Sequence, residues 1–468
     1  MISKSLAIDV LNAALATGGD YAEIYLEDTD SGSVLLENGK VETAGRSKRY
    51  GAGIRILKGT ASVYGYTSDL SKKSLVSLAG GLANRFDGKR LFTVAKIERQ
   101  RVKTVNRIHD HIKDVPIEDK IALCRECHDV TAGVDKRLVR IQNSFADDFK
   151  KIEIFSAEGE IGKQFENTEE HGRLVMAALA SDGGKIETSF AGPGRCDGWH
   201  WFSKDIDRKT IARQTGEKAI MMLTAGECPS GRFPVVIANG WGGVLFHEAC
   251  GHSLEATATA KKLSVFSDSV GKQIANPIVS AYDDGTIPNE WGSNNIDSEG
   301  HPTQKNQLIK DGVCVGFLVD KFNGRRLNMP ANGVSRRQSY RYEPTSRMSN
   351  TYIAPGKDKA EDIVKDTKLG VYVANFGGGS VNPTTGEFNF SASEAYIIRD
   401  GKICEPVRGC TLIGSGKEVL MNIDRVADDV ALGQGMCGSL SGSIPVNVGQ
   451  PTIRIKEITV GGRGGRLQ

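Results

Sequence analysis

The apolar positions of this chain change period several times along its length, and each change marks an element. Leu6, Val10 and Ala14 recur at helical spacing, which predicts an amphipathic first helix. Ala22, Ile24 and Leu26 then alternate with Tyr21, Glu23, Tyr25 and Glu27, the period-two pattern of a half-buried strand. Apolar runs at 33–36, 54–57 and 61–66 follow, punctuated by Asn38-Gly39 and Lys58-Gly59 as hairpin turns would be. Helices are predicted over 71–82, over 116–131 and over about 203–224, the last with Ile211, Thr215, Ala219 and Met222 on one face. Strand-like runs at 138–144, 151–155, 174–180 and 186–190 lie between the second and third of these.

Residues 226–232 read as a connection between domains. Beyond them, 234–238 is a short buried strand that leads through Asn239-Gly240 into a further helix. The rest of the chain is dense in glycine turns and short strands, with one clear helix near 359–365. The expected fold class is therefore α+β. An N-terminal α/β meander domain, 1–226, packs helices on an antiparallel sheet, and a mostly β C-terminal domain, 227–468, carries the helix after Asn239-Gly240.

Composition narrows the function classes. Hydrophobic residues at 39% and charged residues at 25% are ordinary globular values. The 55 glycines among 468 residues, against a usual 7% or so, favour a turn-rich, strand-rich architecture. Sixty basic and 57 acidic side chains leave a net charge of +3, which argues against a nucleic-acid or membrane surface. The basic run 89–107 is expected to be a solvated face. Apolar runs stay short of the 18 or so residues that span a bilayer, and Asp9 and Asn12 interrupt the apolar segment a secretion signal would need. A cytoplasmic protein with reduced thiols is expected, since nine cysteines spread over the chain form no disulfide framework.

The candidate chemistry sits in the helix after Asn239-Gly240, at Phe246-His247-Glu248-Ala249-Cys250-Gly251-His252-Ser253-Leu254-Glu255. Imidazole is the commonest nitrogen ligand for zinc, and a neighbouring glutamate is the usual base for a metal-activated water. The spacing is HExxxH rather than HExxH. On a regular α-helix His252 would stand about 140° around from His247, too far to share an ion. A π-type turn, with its i to i+5 bond, would bring both onto one face, and Gly251 would ease such a distortion. A π-bulge or early helix break is predicted between Glu248 and His252.

Other constellations are weaker. Cys124-Arg125-Glu126-Cys127-His128 matches the c-type haem attachment pattern but lies in an amphipathic helix, where buried thiols are expected. His109-Asp110-His111 alternates as any strand does, and Cys250 on the motif helix reads as packing rather than as a nucleophile. A catalytic zinc needs three protein ligands and one open position, and the third could come from Glu255, Cys404, Cys410 or Cys437.

The motif and its downstream partners resemble the TldD/PmbA family of zinc metallopeptidases, also described as modulators of DNA gyrase. The likeness runs through 247–255, Arg336-Arg337-Gln338-Ser339-Tyr340, Arg347-Met348, 377–396, Gly435-Met436-Cys437-Gly438 and Gly449-Gln450-Pro451-Thr452. The intact HExxxH makes the chain look like the metal-bearing TldD side. The resemblance implies Zn2+ held by His247, His252 and Cys437, Glu248 as the catalytic base, and cleavage of short or unfolded peptides. It also implies a homodimer, or a heterodimer with a TldE/PmbA-like subunit. Ala256-Thr257 replaces the family's glycine-acid pair, which bears on substrate contact. The expected function is a zinc-dependent peptidase, with strand edges rich in glycine pairing to the substrate main chain. The alternative is a non-catalytic peptide-binding or assembly subunit with a structural metal.

Overall fold

Asn38 and Gly39 both have positive φ, 47° and 77°, and they join Tyr21–Glu37 to Lys40–Lys58 in a hairpin that runs back to the pair Tyr21↔Leu57. The computed structural model describes residues 1–382 and 384–467. Its first sheet runs in the order Ala61–Thr67, Lys40–Lys58, Tyr21–Glu37, Leu138–Ala157, Ile161–Asp182 and Lys96–Arg99, with Lys185–Ala191 also paired to Ile161–Asp182. Helices Lys4–Ala14 and Lys72–Ala83 pack on the Ala22, Ile24 and Leu26 end, and Ile117–Ala132 and Arg208–Thr224 on the Val34, Phe145 and Met176 end. Four of the predicted elements are thus in place. Each of the first two helices starts at a serine, Ser3 or Ser71, whose hydroxyl accepts a backbone N–H of the first turn.

Three expectations are corrected here. The strand from Tyr21 is buried on both faces rather than half-buried, since Glu23 and Glu27 lie inside along with Ala22 and Ile24. Chain from the C-terminal half covers that face. Arg55 Nη2 lies 2.8 Å from Glu23 and also pairs with Glu299, Arg337 Nη2 lies 2.6 Å from Glu23, and the Tyr340 N–H donates to Glu27 at 3.0 Å. Burial pushes the Glu23 carboxyl up, but Arg55 and Arg337 outweigh it and hold it below its ordinary value. The first two strand runs merge into one strand of 20 residues, Leu138–Ala157, the third lies within one of 22, Ile161–Asp182, and the fourth stands as expected, as Lys185–Ala191. The polar gap closes because buried Asp147 is matched by Lys120 at 2.6 Å and Arg46 at 3.0 Å. The third helix starts at Arg208, capped by Asp207, while Trp201–Asp205 forms a separate π turn closed by Ile206 N–H on Trp201 O.

In the second half, Gly231–Ile237, Ile453–Gly461, Thr411–Ser415, Glu387–Arg399 and Leu369–Val381 pair in turn, and the last pairs back to the first. The result is a small closed barrel filled by Val235, Val371, Val373, Leu412 and Ile455. Residues 226–232 are more than a connection, because Gly226–Glu227 pairs with Lys402–Arg408 and Cys228 is buried beyond it. A third sheet ends on Asn350–Ile353, Gly442–Gln450 and the edge strand Ala431–Ser439. Beside the predicted helix, found at Ala360–Lys365, stand Lys321–Leu327 and Gly416–Asn422, each too short to register as a 3.6-residue period. The basic run 89–107 is largely exposed, and no helix among the described residues is long and apolar enough to cross a membrane.

Candidate metal centre

The motif helix is wound three ways in succession: Val244–Phe246 is α, His247–Gly251 is π and His252–Leu254 is 3-10. The His252 N–H donates to His247 O, five residues back. That one wide turn places the two imidazole rings 4.9 Å apart, centre to centre, at 83°. The predicted bulge is present, though Gly251 serves it differently from the expectation. Its φ of −54° and ψ of −56° are ordinary helical values. What Gly251 supplies is space, since a Cβ there would stand 2.3 Å from Met348 Sδ. Gly416 likewise lets its own helix close on the π turn, where a Cβ would meet Ala249 O at 2.1 Å.

Gly251→Ala in an ordinary helix would stabilise by about 1 kcal/mol. Here the added methyl must displace a buried thioether, so the variant is expected to lose about 1–3 kcal/mol in denaturant unfolding, the lower end if Met348 rotates away. A stabilised Gly251→Ala would show that the packing against Met348 does not constrain the turn.

Cys437 approaches from the third sheet. It pairs with Ile444 across the hairpin formed by Ala431–Ser439 and Gly442–Gln450, and its Sγ lies 3.2 Å from His252 Nε2. One ligand atom from each of His247, His252 and Cys437 falls within 4.8 Å of the others. Burial pushes the Cys437 thiol up, but hydrogen bonds and charge from His247 and His252 more than reverse this and bring it down to about 3. Burial depresses His252, but Glu255 and Cys437 outweigh it and raise its pKa well above the ordinary imidazole range. The Glu255 carboxylate stands 3.3 Å from His252 Nδ1, behind the ring. Glu248 lies on the open side, with an oxygen 3.8 Å from His252 Nε2 and its side chain 28% exposed. His247 is buried, and its Nδ1 has no hydrogen-bond partner among the described residues.

The other third-ligand candidates fall elsewhere. Cys404 is exposed and Cys410 is buried against Cys228, while Glu255 faces the far nitrogen of His252. Cys250 is buried with its thiol pushed well up by desolvation, which leaves it inert. Cys124 and Cys127 pack in the first-half core with thiols raised to about 12 by burial. Asp110 and His111 turn to different partners, His200 at 2.9 Å and Glu170 at 2.7 Å. Arg347 belongs to no spacing pattern of the sequence. It is fully buried and donates to Cys437 O, Ser441 Oγ and Gly442 O, so it fixes the end of the hairpin that carries the thiol. Its one signal in the sequence is a charged residue in the family-like Arg347-Met348 pair. A cleft of about 720 Å³ between the first sheet and the barrel reaches Trp241 and Gln434, three residues from Cys437, with Phe190, Met222, Phe376 and Glu394 among its walls.

Sequence comparison finds relatives that match nearly the whole chain. Models of the PmbA/TldA metallopeptidase domain 1, central domain and C-terminal domain match residues 22–83, 110–223 and 230–462. A Haemophilus influenzae protein named metalloprotease TldD homolog is 36% identical over 457 residues, covering 95% of this chain and 93% of its own. The chain belongs to the PmbA/TldD metallopeptidase family. An archaeal relative of this PmbA/TldD protein, a metalloprotease from Methanothermobacter thermautotrophicus, is 32% identical, with 95% and 96% of the two chains covered. Among solved structures, TldE from Thermococcus kodakarensis superposes with a TM-score of 0.76 at 16% identity, over 98% of this chain and all of that one. A Thermotoga maritima candidate modulator of DNA gyrase superposes at 0.77 and 21%, over 94% and 96%. The α+β architecture is therefore the family's.

Proposed function

We propose that this PmbA/TldD family member is a zinc-dependent peptidase acting on short or unfolded peptides. His247, His252 and Cys437 are its ligands, Glu248 is its general base, and 227–468 is its catalytic domain beneath the 1–226 domain. The observation that carries this reading is the convergence of three ligand atoms within 4.8 Å. Two imidazoles and a thiolate are a donor set suited to zinc, and three protein ligands leave a fourth position open. The buried, unpartnered Nδ1 of His247 and the low pKa of Cys437 fit a site built to receive a cation. Bound there, zinc supplies Lewis acidity, which makes water a nucleophile near neutral pH and polarises the peptide carbonyl.

The chain's own groups do the rest. Glu248, partly exposed beside His252, takes the proton of the attacking water and returns it to the departing amine. Glu255 fixes the His252 ring through Nδ1, which leaves Nε2 to face the thiol. The exposed glycines 377–379 and the edge strand Ala431–Ser439 offer main chain to an extended peptide at the mouth of the cleft. The shared fold with TldE supports assembly as a homodimer or with a TldE/PmbA-like subunit.

The test is metal content by elemental analysis alongside peptide cleavage with and without chelator. Zinc and cleavage are expected to leave together and to return together when zinc is restored. Cleavage that survives complete removal of metal would overturn the reading. The metal affinity carries a pH sign as well. His252 is protonated below its raised pKa and must lose that proton to bind, whereas Cys437, at about 3, is already a thiolate. Affinity is expected to rise with pH across neutrality, by up to about tenfold per unit, until pH passes the raised His252 value. Competition against a chromophoric chelator across this range measures it, and an affinity that falls with pH would contradict it.

A further inference from the structure

We propose that Arg347 is a positioning residue that couples the two halves of the metal centre, holding Cys437 through its backbone and Glu255, the carboxylate behind His252, through its guanidinium. The inference rests on the reading of His247, His252 and Cys437 as metal ligands. Arg347 is fully buried, and its own N–H donates to Val334 O at 3.0 Å, so its backbone is fixed. One end of its planar fork, Nη1, donates to Ser441 Oγ at 2.8 Å and Gly442 O at 2.9 Å, while Nη2 donates to Cys437 O. These three bonds pin the hairpin end at the thiol.

The other end of the same group turns toward the histidine. Arg347 Nε lies 3.9 Å from Glu255 Oε1, and neither of these buried atoms has a hydrogen-bond partner among the described residues. Glu255 Oε2 is in turn 3.3 Å from His252 Nδ1, and His252 Nε2 is 3.2 Å from Cys437 Sγ. The contacts close a ring through Arg347, Cys437, His252 and Glu255. A buried carboxylate without a countercharge is costly, and a buried guanidinium is equally so. Arg347 and Glu255 offset each other's burial in the arrangement that also brings the thiol to the imidazole. A lysine cannot replace this, because an ammonium lacks the rigid fork that reaches two directions at once. Arg347 therefore sets the separation between two ligands that come from different elements.

The experiment compares zinc affinity, by competition with a chromophoric chelator, with the melting temperature of the zinc-free protein. R347A removes a buried charge and can fail to fold, so R347K, which keeps charge and volume, carries the test with E255Q and C437A beside it. R347K and E255Q are each expected to bind zinc about 10–100-fold more weakly, while zinc-free R347K melts lower than wild type but still cooperatively and above the assay temperature. The R347K/E255Q double variant should lose less than the product of the two single losses, because both act on one unit. Wild-type zinc affinity in R347K, or losses that simply multiply, would overturn the coupling. C437A separates the two claims: zinc binding by C437A at wild-type strength defeats the ligand assignment itself. Weak binding by C437A with normal binding by R347K and E255Q defeats only the role of Arg347.

Discussion

Cys437→Ala is expected to purify with little zinc and to cleave no peptide, while remaining folded. The thiol packs in a small cluster with Ile444 and Val446, so its loss removes little apolar contact. The hairpin end is held by Arg347 through main-chain and hydroxyl oxygens of 437–442, none of which the substitution removes. Metal binding is different. Structural zinc sites bind with about 10–16 kcal/mol in total, so one ligand in three or four carries about 3–5 kcal/mol, or about 10²–10⁴ in affinity. Two imidazoles on one turn do not replace it. In the zinc-free protein the same change removes a partner that raises His252, so His252 should titrate lower, which NMR of the imidazole would follow. Elemental analysis and a cleavage assay on the folded variant decide the point, and a full complement of zinc in Cys437→Ala would refute the assignment.

The winding of the motif helix was legible because the requirement came from geometry alone: two imidazoles five residues apart share a face only across a wide turn, and the His252 N–H on His247 O is that turn. The part of Gly251 was not. Sequence pointed to backbone freedom, whereas the structure uses the missing side chain to admit Met348, a residue nearly a hundred positions away. The thiol beside the two imidazoles was equally out of reach of spacing, since Cys437 arrives on the third sheet. The family resemblance pointed to it, and packing separates it from Cys404 and Cys410.

The same long-range logic explains the corrections in the fold. The alternation from Tyr21 to Glu27 is a true strand pattern. It reads as half-buried because Glu23 and Glu27 are charged, and their partners Arg55, Arg337 and the Tyr340 N–H lie far along the chain. The polar stretch within Leu138–Ala157 hid the length of that strand for the same reason, its Asp147 being matched by Lys120 and Arg46. Local period gives element type; buried ion pairs, which carry no period, decided where elements continue and which faces close.

Glu248→Ala should separate binding from chemistry. Glu248 is the most exposed carboxylate of the motif and stands 3.8 Å from His252 Nε2, outside the cluster formed by His247, His252 and Cys437. Glu255, by contrast, is committed behind the ring. Removing Glu248 therefore leaves the three donors and their supports intact, and the variant is expected to hold zinc at wild-type stoichiometry. On the proposed mechanism it also removes the group that accepts the water's proton and delivers it to the leaving amine, a contribution of about 10²–10⁴ in rate. The loss should appear in kcat with KM little changed, since the cleft walls at Trp241, Phe376 and Gln434 do not depend on the carboxylate. Zinc that falls in step with activity would make Glu248 a ligand instead of a base. Cleavage that persists would leave the metal centre with a structural role, as in a peptide-binding subunit, and would move the hydrolytic chemistry away from this turn.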